Sequence, residues 1–430
     1  MNLTPEQQAL LDGAKGPAMA KVVKTLVMYG ECFGATRMVP VTSRNGHIVT
    51  SFGLSMLGPV YDLMDELIEQ GALSGQAFSA DPRPLDPAVP ANPLQRLVFN
   101  VMYSKQDDYE AQLRKMGLLR SDSFTCTCYQ PEVGNRPALG DVLSWAESSA
   151  VVFANSVLGA RCNRNSGIIE LFGSIAGFVP EFGLLTDEGR QATRVIEVSC
   201  ERKPEAQVLG SAIGMKVMED VPYIRGLDHW LGHELTAEVE DYLKDMGAAS
   251  ASNGAVGLYH VEGLTPEARE KGRDLIAPDA QVYRIDDAEL ERVRASYPVM
   301  WKKPDARPKL AFIGCPHLSA TQLERWAGDI CEGLAAAGHR RVQVPTVLTA
   351  APAVAEAFRK TDAYARLATT GAVVSSICPL MYTNNPLCGG MPIVTNSNKL
   401  RTYSTARYCT DHEVLECVTT GALAWKGGDR

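Results

Sequence analysis

Three of the eleven cysteines in this 430-residue chain sit where a thiolate could do chemistry. Cys315 and Cys378 each precede a proline, in Gly314-Cys315-Pro316-His317 and Cys378-Pro379, and Cys126 lies in Thr125-Cys126-Thr127-Cys128-Tyr129. The count is odd, and Met1-Asn2-Leu3-Thr4-Pro5-Glu6 lacks the basic start and apolar run of an export leader. Both facts disfavour a disulfide framework and leave buried packing, nucleophilic catalysis or metal ligation as roles for the thiols. The apolar runs 310–313, 372–377 and 393–394 read as parallel strands. Cys315 and His317 follow the first, Cys378 the second, and Thr395-Asn396-Ser397-Asn398-Lys399 the third. Parallel α/β sheets bind ligands beyond their strand carboxyl ends, so two cysteines, a histidine and a lysine gather on one rim. The plainer alternative is that the cysteines pack and the prolines merely stop strands.

A second group is carried by a small, apolar segment, 144–159, read as one buried helix. At about 100° per residue Ser144, Glu147, Ser148 and Asn155 share one sector of it. An unpaired buried polar group costs about 1–3 kcal/mol, so this stripe must line a cavity or form an internal hydrogen-bond network. Arg161 and Arg164 follow just past its end. Other motifs are weaker. Cys126-x-Cys128 lacks zinc-knuckle spacing, and no Walker lysine loop, G-x-G-x-x-G or G-x-S-x-G elbow occurs. His229 and His233 have helical spacing without a third ligand, and His260 in an apolar run reads as a core histidine.

Together, Val39-Pro40-Val41-Thr42-Ser43, Thr125-Cys126-Thr127, the segment 145–161 through Glu147-Ser148-Ser149-Ala150 to Gly159-Ala160-Arg161, Leu258-Tyr259-His260-Val261-Glu262-Gly263, Gly314-Cys315-Pro316-His317 and Thr395-Asn396-Ser397-Asn398-Lys399 resemble the catalytic large subunit of the aconitase X family. That family is a branch of the aconitase superfamily, and the resemblance runs through almost the whole chain. It implies an α/β, aconitase-like, multi-domain fold with parallel βα sheets and the active site at the strand carboxyl rim. It further implies a hydro-lyase that dehydrates a small hydroxy acid at an iron–sulfur cluster or a mononuclear iron, with Cys126, Cys315 and Cys378 as ligands; the cytoplasmic location expected of the chain comes instead from its N-terminal sequence and the lack of a membrane-length apolar run. Three thiolates leave one iron open as the Lewis acid that makes hydroxide a leaving group. Cys128 and Cys162 depart from the family pattern and stand as further ligands or harmless small residues. Arg161 and Lys399 are expected to clamp the substrate carboxylate, Thr42, Ser43, Asn155, Asn396 and Ser397 to line its site, and Glu147 and Ser148 to orient it. His317 is expected to protonate the departing hydroxide. Family substrates are cis-3-hydroxy-L-proline, dehydrated to a pyrroline-2-carboxylate, and phosphomevalonate. The rim offers mostly Asn, Ser and Thr rather than the extra cations a phosphate demands, which favours the hydroxyproline type. The family's serine base sits on a small swivelling domain that can be a separate subunit, so a heterodimer is expected; a base within this chain, Ser43 or His47, is the alternative. A non-catalytic iron–sulfur scaffold is the reading of another class.

The elements that must position these groups are partly legible. Thr4, Pro5 and Gln7 spell a capping box and first-turn proline for a helix that stops at Gly13, and a second helix spans 18–29. A strand follows at 38–42, residues 81–93 are too proline-rich for a regular element, and 94–116 reads as one helix. After a second Pro- and Lys-rich boundary at 297–308, strands and helices alternate: Ser319 and Gln322 open a helix, a strand covers 342–348, and a helix 352–367. The chain is therefore divided into an N-terminal and central region, 1–305, and a C-terminal α/β domain, 306–430. A net charge of −8, from 42 Lys+Arg and 50 Asp+Glu, argues against a phosphate-backbone binder.

Overall fold

The computed structural model describes residues 1–423; the last seven residues of the expected C-terminal domain lie outside them. Among the described residues no helix is long and apolar enough to cross a membrane.

The first part of the chain is built from helices and very short strands. Thr4 Oγ1 accepts from the Gln7 amide at 3.2 Å and the Gln7 side chain accepts from the Thr4 amide at 3.0 Å, closing the predicted capping box on helix Pro5–Leu11. Helix Gly16–Cys32 buries Ala18, Val22, Val23 and Leu26 along one face. Strand β1 (Met38–Pro40) pairs antiparallel with β4 (Phe178–Pro180), and β2 (Gly46–Ile48) pairs parallel with β3 (Phe78–Ala80). The helix read as 94–116 is two, Pro93–Met102 and Gln106–Met116. The loop at 53–55 takes the backbone groups at the break: Lys105 N donates to Gly53 O and Ser55 N to Met102 O. The buried segment 144–159 is likewise shorter than its composition suggests, with helix only over Ser148–Ser156 and Glu147 as its N-cap.

Two parallel sheets follow, wound alike. In the first the order is β7-β6-β5-β8, with β5 Ala192–Val198, β6 Pro222–Arg225, β7 His260–Val261 and β8 Ile276–Ile285. Its helices Ala206–Val217 and Ala237–Asn253 pack closely on each other. Glycine permits that approach, since a Cβ on Gly210 would stand 2.1 Å from Met246 O. Helix Ala237–Asn253 also backs helix Ser148–Ser156. The second sheet is β11-β10-β9-β12-β13, with β9 Leu310–Leu318, β10 Thr346–Ala350, β11 Val373–Ser375, β12 Ile393–Thr395 and β13 Arg407–Tyr408. The chain leaves the central β9 toward β10 and β11, then returns to build β12 and β13 on the other side. The direction of winding thus reverses between β9 and β12, the crevice where such sheets receive ligands. Helix Ala320–Ala336 opens on the predicted Ser319/Gln322 capping box, whereas the helix expected over 352–367 is broken into Pro352–Phe358 and Asp362–Thr369. Gly314 has φ +98°, and a Cβ there would meet Leu318 and the Thr349 carbonyl. Only glycine suits this point, where β9 slips register against β10 just before Cys315.

Candidate active site

A buried ion pair joins the two halves of the chain. Lys399 follows β12 in the first turn of helix Asn398–Tyr403, and its Nζ donates to Glu147 Oε1, with Ser148 and Ser149 hydroxyls each at 3.3 Å. Glu147 owes its place to its role as helix N-cap: its other oxygen accepts from the Ser149 hydroxyl and the Ala150 amide, both at 2.6 Å. The partial positive charge of a helix N-terminus favours a carboxylate at that point. Burial opposes both charges, but each partner outweighs it for the other: Lys399 holds Glu147 below the usual carboxylate range, and Glu147, with Cys315 and Cys126, holds Lys399 above its own. Ser397 fastens the lysine turn to the first cysteine, since its hydroxyl donates to the Cys315 carbonyl and accepts from Leu400 N at 3.0 Å.

The three cysteines come from three segments that one histidine ties together. The His317 amide donates to Cys126 Sγ at 3.4 Å. Its ring Nε2 faces the Ile377 carbonyl at 3.2 Å, one residue before Cys378, and Nδ1 meets the Thr125 hydroxyl at 3.0 Å, one residue before Cys126. A carbonyl only accepts, so Nε2 carries the proton and Nδ1 accepts from Thr125. Burial pushes His317 down to about 4, leaving the ring neutral with both nitrogens engaged. Such a ring is poorly placed to protonate a leaving group; it is a clip between the cysteine loops. Burial raises all three thiols, Cys378 to about 12, and Cys315 adds to the rise at Cys126 and Cys378. The donor set, three desolvated thiols beside a buried lysine, suits a thiolate-bound iron–sulfur group, whose positive metal would restore the thiolate form. As the side chains stand, no group of three or more His, Cys, Asp or Glu among the described residues is arranged to hold a metal ion.

Several residues expected at the site are engaged elsewhere. Arg161 donates to the Leu185 carbonyl at 3.0 Å and to Asp187, and lies 4.0 Å from Glu267. Asn155 spends its amide on Cys162 O and Gly257 O, and its oxygen on Cys162 N and Arg190, so it staples the loop after its helix. Ser144 lies before the helix and donates to Glu170 instead of sharing a face with Glu147. Thr42 bonds Asp141 and Val142, and Ser43 the Asn45 carbonyl. Asn396 donates to Asp411 at 2.8 Å while its oxygen accepts from Gly314 N at 3.4 Å, one residue before Cys315, and it borders a cavity of about 440 Å³ between the two parallel sheets' helices, which neither the three cysteines nor Lys399 line. Cys128 and Cys162 are fully buried in the apolar core. His260 is a core histidine bonded to the Arg190 carbonyl at 2.9 Å.

Other residues enter that the motifs did not flag. Lys244, on helix Ala237–Asn253, is buried and donates to the His317 carbonyl, Gln322 and Asp241. Asp81 directly follows β3 and lies between two cysteine loops: Ala80 bonds Ser123 and Thr125, and the Arg83 carbonyl accepts from Cys378 N. Its carboxylate is 3.3 Å from Nε2 of buried His47, whose Nδ1 meets Ser79 at 2.9 Å. Burial raises Asp81; Cys128 and Asp81 overcome burial to raise His47 to about 10. Only the proline-rich composition of 81–93 marked that loop in the sequence, and it says nothing of what the loop threads between.

Three family models tile the chain: the aconitase X first domain over residues 1–188, the second over 192–295 and the third over 308–419. The phosphomevalonate dehydratase large subunit of Thermococcus kodakarensis is 32% identical over 409 residues, 94% of this chain and 95% of that protein. The cis-3-hydroxy-L-proline dehydratase of Pseudomonas aeruginosa is 32% identical over 298 residues, 66% of this chain but 47% of that longer protein. A crystal structure of Thermococcus kodakaraensis aconitase X in its holo form matches with a TM-score of 0.77 at 30% identity, spanning 97% of this chain and 100% of that one.

Proposed function

Because the chain belongs to the aconitase X family, we propose that it is the catalytic subunit of a hydro-lyase that removes water from a small hydroxy acid. The observation that carries the reading is the Lys399–Glu147 pair, with Ser148 and Ser149, held by Ser397 against the Cys315 segment. Cys126, Cys315 and Cys378 would hold an iron–sulfur group, or a single iron, and that group would supply the Lewis acidity that makes hydroxide leave. The chain's own residues do the rest. Lys399, fixed by Glu147, presents a permanent positive charge to the substrate's anionic end. Ser148, whose hydroxyl shares Lys399, orients the substrate. His317 keeps the cysteine loops in register. Lys244 holds His317 from behind through its carbonyl, and the apolar core around helix Ser148–Ser156 keeps water from the site's rear.

The base that takes the proton alpha to the carboxylate comes from a small partner subunit, in keeping with relatives that bear the name large subunit. Ser43 and His47 are the in-chain alternatives, and both are already hydrogen-bonded. A cis-3-hydroxy-L-proline-type substrate fits a site with few cations. Phosphomevalonate is the second reading, favoured by the nearly full-length likeness to a phosphomevalonate dehydratase large subunit. Turnover of both acids by the anaerobically reconstituted complex decides between them. A cluster that forms while neither acid is dehydrated would favour a scaffold or redox role.

A further inference from the structure

One helix in the first part of the chain turns an apolar face to solvent. In helix Pro93–Met102, Gln95 and Phe99 are buried, while Leu94, Leu97 and Val101 are 59%, 60% and 64% exposed. Spaced i, i+3 and i+7, these three share one 100° sector. Further exposed apolar side chains extend the strip at both ends. Leu387 stands by the first turn, since its amide donates to Asn385, whose own amide donates to the Gln95 carbonyl at 3.2 Å. Met56, 80% exposed, follows Ser55, whose amide donates to Met102 O at 2.8 Å in the last turn. The other large exposed apolar side chains among the described residues are scattered along the chain singly or in pairs, which is ordinary for a protein surface.

This strip borders the candidate site along two margins. One is the segment after Cys378, on which the helix lies: Tyr103 donates to Met381 O at 2.8 Å, and the Gln95 side chain to Met391 Sδ at 3.3 Å. The other is the loop 49–57, which leaves β2. That strand stands in a row of four parallel segments, in which Phe124 is beside β3, β3 beside β2, and His47 of β2 beside Trp145. Past the carboxyl ends of this row come, in order, Cys126, Asp81, the loop 49–57 and Glu147. The loop with Met56 at its tip therefore starts inside the rim, between Asp81 and Glu147, and runs out to the strip.

We propose that the strip of Leu94, Leu97 and Val101, with Met56 and Leu387, is where the small subunit docks, seating an apolar patch of its own on the helix so that its base reaches over the rim. This rests on the two-subunit reading above and gives the partner its place on the chain. Anchors at i, i+3 and i+7 are the pattern by which a helix face enters an apolar groove, and release of water from both surfaces drives the contact. A partner that must deliver a base to the rim needs a foothold continuous with it, and both margins of the strip supply one. Two copies of this chain meeting through the same face would cover it symmetrically but bring no base to either rim.

The test uses the reconstituted chain and the purified small subunit, identified as the polypeptide that restores dehydration, with association read by sedimentation velocity. L97E/V101E should weaken the complex roughly 10- to 100-fold and leave the iron-dependent spectrum of the chain unchanged. Turnover lost at low concentration of the small subunit should return as that concentration is raised. L97S/V101S keeps the face uncharged, should weaken the complex less, and serves in place of the glutamates if they disturb the helix. M28E, at an exposed apolar position on helix Gly16–Cys32, should leave association intact. Affinity for the small subunit kept in both double variants, or lost equally in M28E, overturns the docking assignment alone. Wild-type chain that self-associates through this face, with L97E/V101E monomeric and small-subunit binding kept, makes a second copy the occupant and overturns it as well. Wild-type chain that dehydrates substrate fully without a partner overturns the two-subunit reading, and this proposal with it.

Discussion

Two parallel sheets in this molecule are wound the same way, yet they present different rims. The sheet of β5–β8 turns at β5/β8 and that of β9–β13 at β9/β12, so each offers a crevice at its strand ends. Near the end of β9 lies Cys315, and beyond β11 and β12 come Cys378 and Lys399. Beyond β5 comes Cys200, buried and bonded weakly to the Ile285 carbonyl, and the nearby charges are surface pairs such as Arg284–Glu197 and Arg273–Glu262. The middle sheet instead lends its helices, one of which backs helix Ser148–Ser156 and sends Lys244 to the His317 carbonyl. Topology therefore offers two crevices, and the proposed site is the one whose rim is met by loops from the first part of the chain: Cys126, Asp81 and the Glu147 cap. The ion pair between Glu147 and Lys399 is the seam of that meeting.

The comparison breaks most sharply at the thiols. Serine at Cys126, Cys315 or Cys378 should each abolish the iron-dependent visible absorbance of reconstituted protein, whereas Cys200→Ser should leave it intact. Absorbance lost with Cys200, or kept without Cys315, would move the metal to the other rim. Next comes the seam. Glu147→Gln leaves Lys399 buried and unpaired and should cost about 3–5 kcal/mol in urea unfolding, with much of the loss recovered in Glu147→Gln/Lys399→Met. Glu197→Gln on the other rim removes an exposed pair and should change stability little.

How far the sequence reveals this arrangement depends on where each contact comes from. The C-terminal domain was legible because its strands are continuous apolar runs and Ser319/Gln322 mark a helix start in local spacing. β8 was not, since its exposed and half-buried residues, along a sheet edge, form neither an apolar run nor a regular alternation. At the site, Lys399, Ser397, Cys315 and Cys378 were legible as strand-end residues, and Cys126 only through the family resemblance. The assignment of Arg161, the shared face of Ser144 and Glu147, and the acid role of His317 were not, because each depends on where a helix begins or on partners far along the chain. Asp187 is 26 residues from Arg161, and Ile377 is 60 from His317. Asp81 and Lys244 carried no local signal at all.

Smaller effects sharpen the picture behind helix Ser148–Ser156. Burial raises Glu170, held by Ser144 and Asn165, to about 8. The folded chain thus keeps a proton that the unfolded chain releases above about 4.5. The contribution of this group to stability is fully present below that value and declines as pH rises toward 8. Glu170→Gln should therefore gain about 1–3 kcal/mol relative to wild type between pH 5 and pH 8, and a flat difference across that range would show the acid to be ionised in the fold. Smallest is Ser319→Ala, which removes the cap on helix Ala320–Ala336 and should cost about 1 kcal/mol in thermal unfolding without altering iron uptake.

The most direct measurement of the central claim is dehydration of cis-3-hydroxy-L-proline and of phosphomevalonate by the anaerobically reconstituted chain, assayed alone and with its small-subunit partner. The account predicts an iron-dependent spectrum in the isolated chain with little or no turnover, and dehydration of one of the two acids once the partner is added. Full turnover by the isolated chain would place the base on Ser43 or His47, and a well-formed cluster that dehydrates neither acid with the partner present would contradict the account.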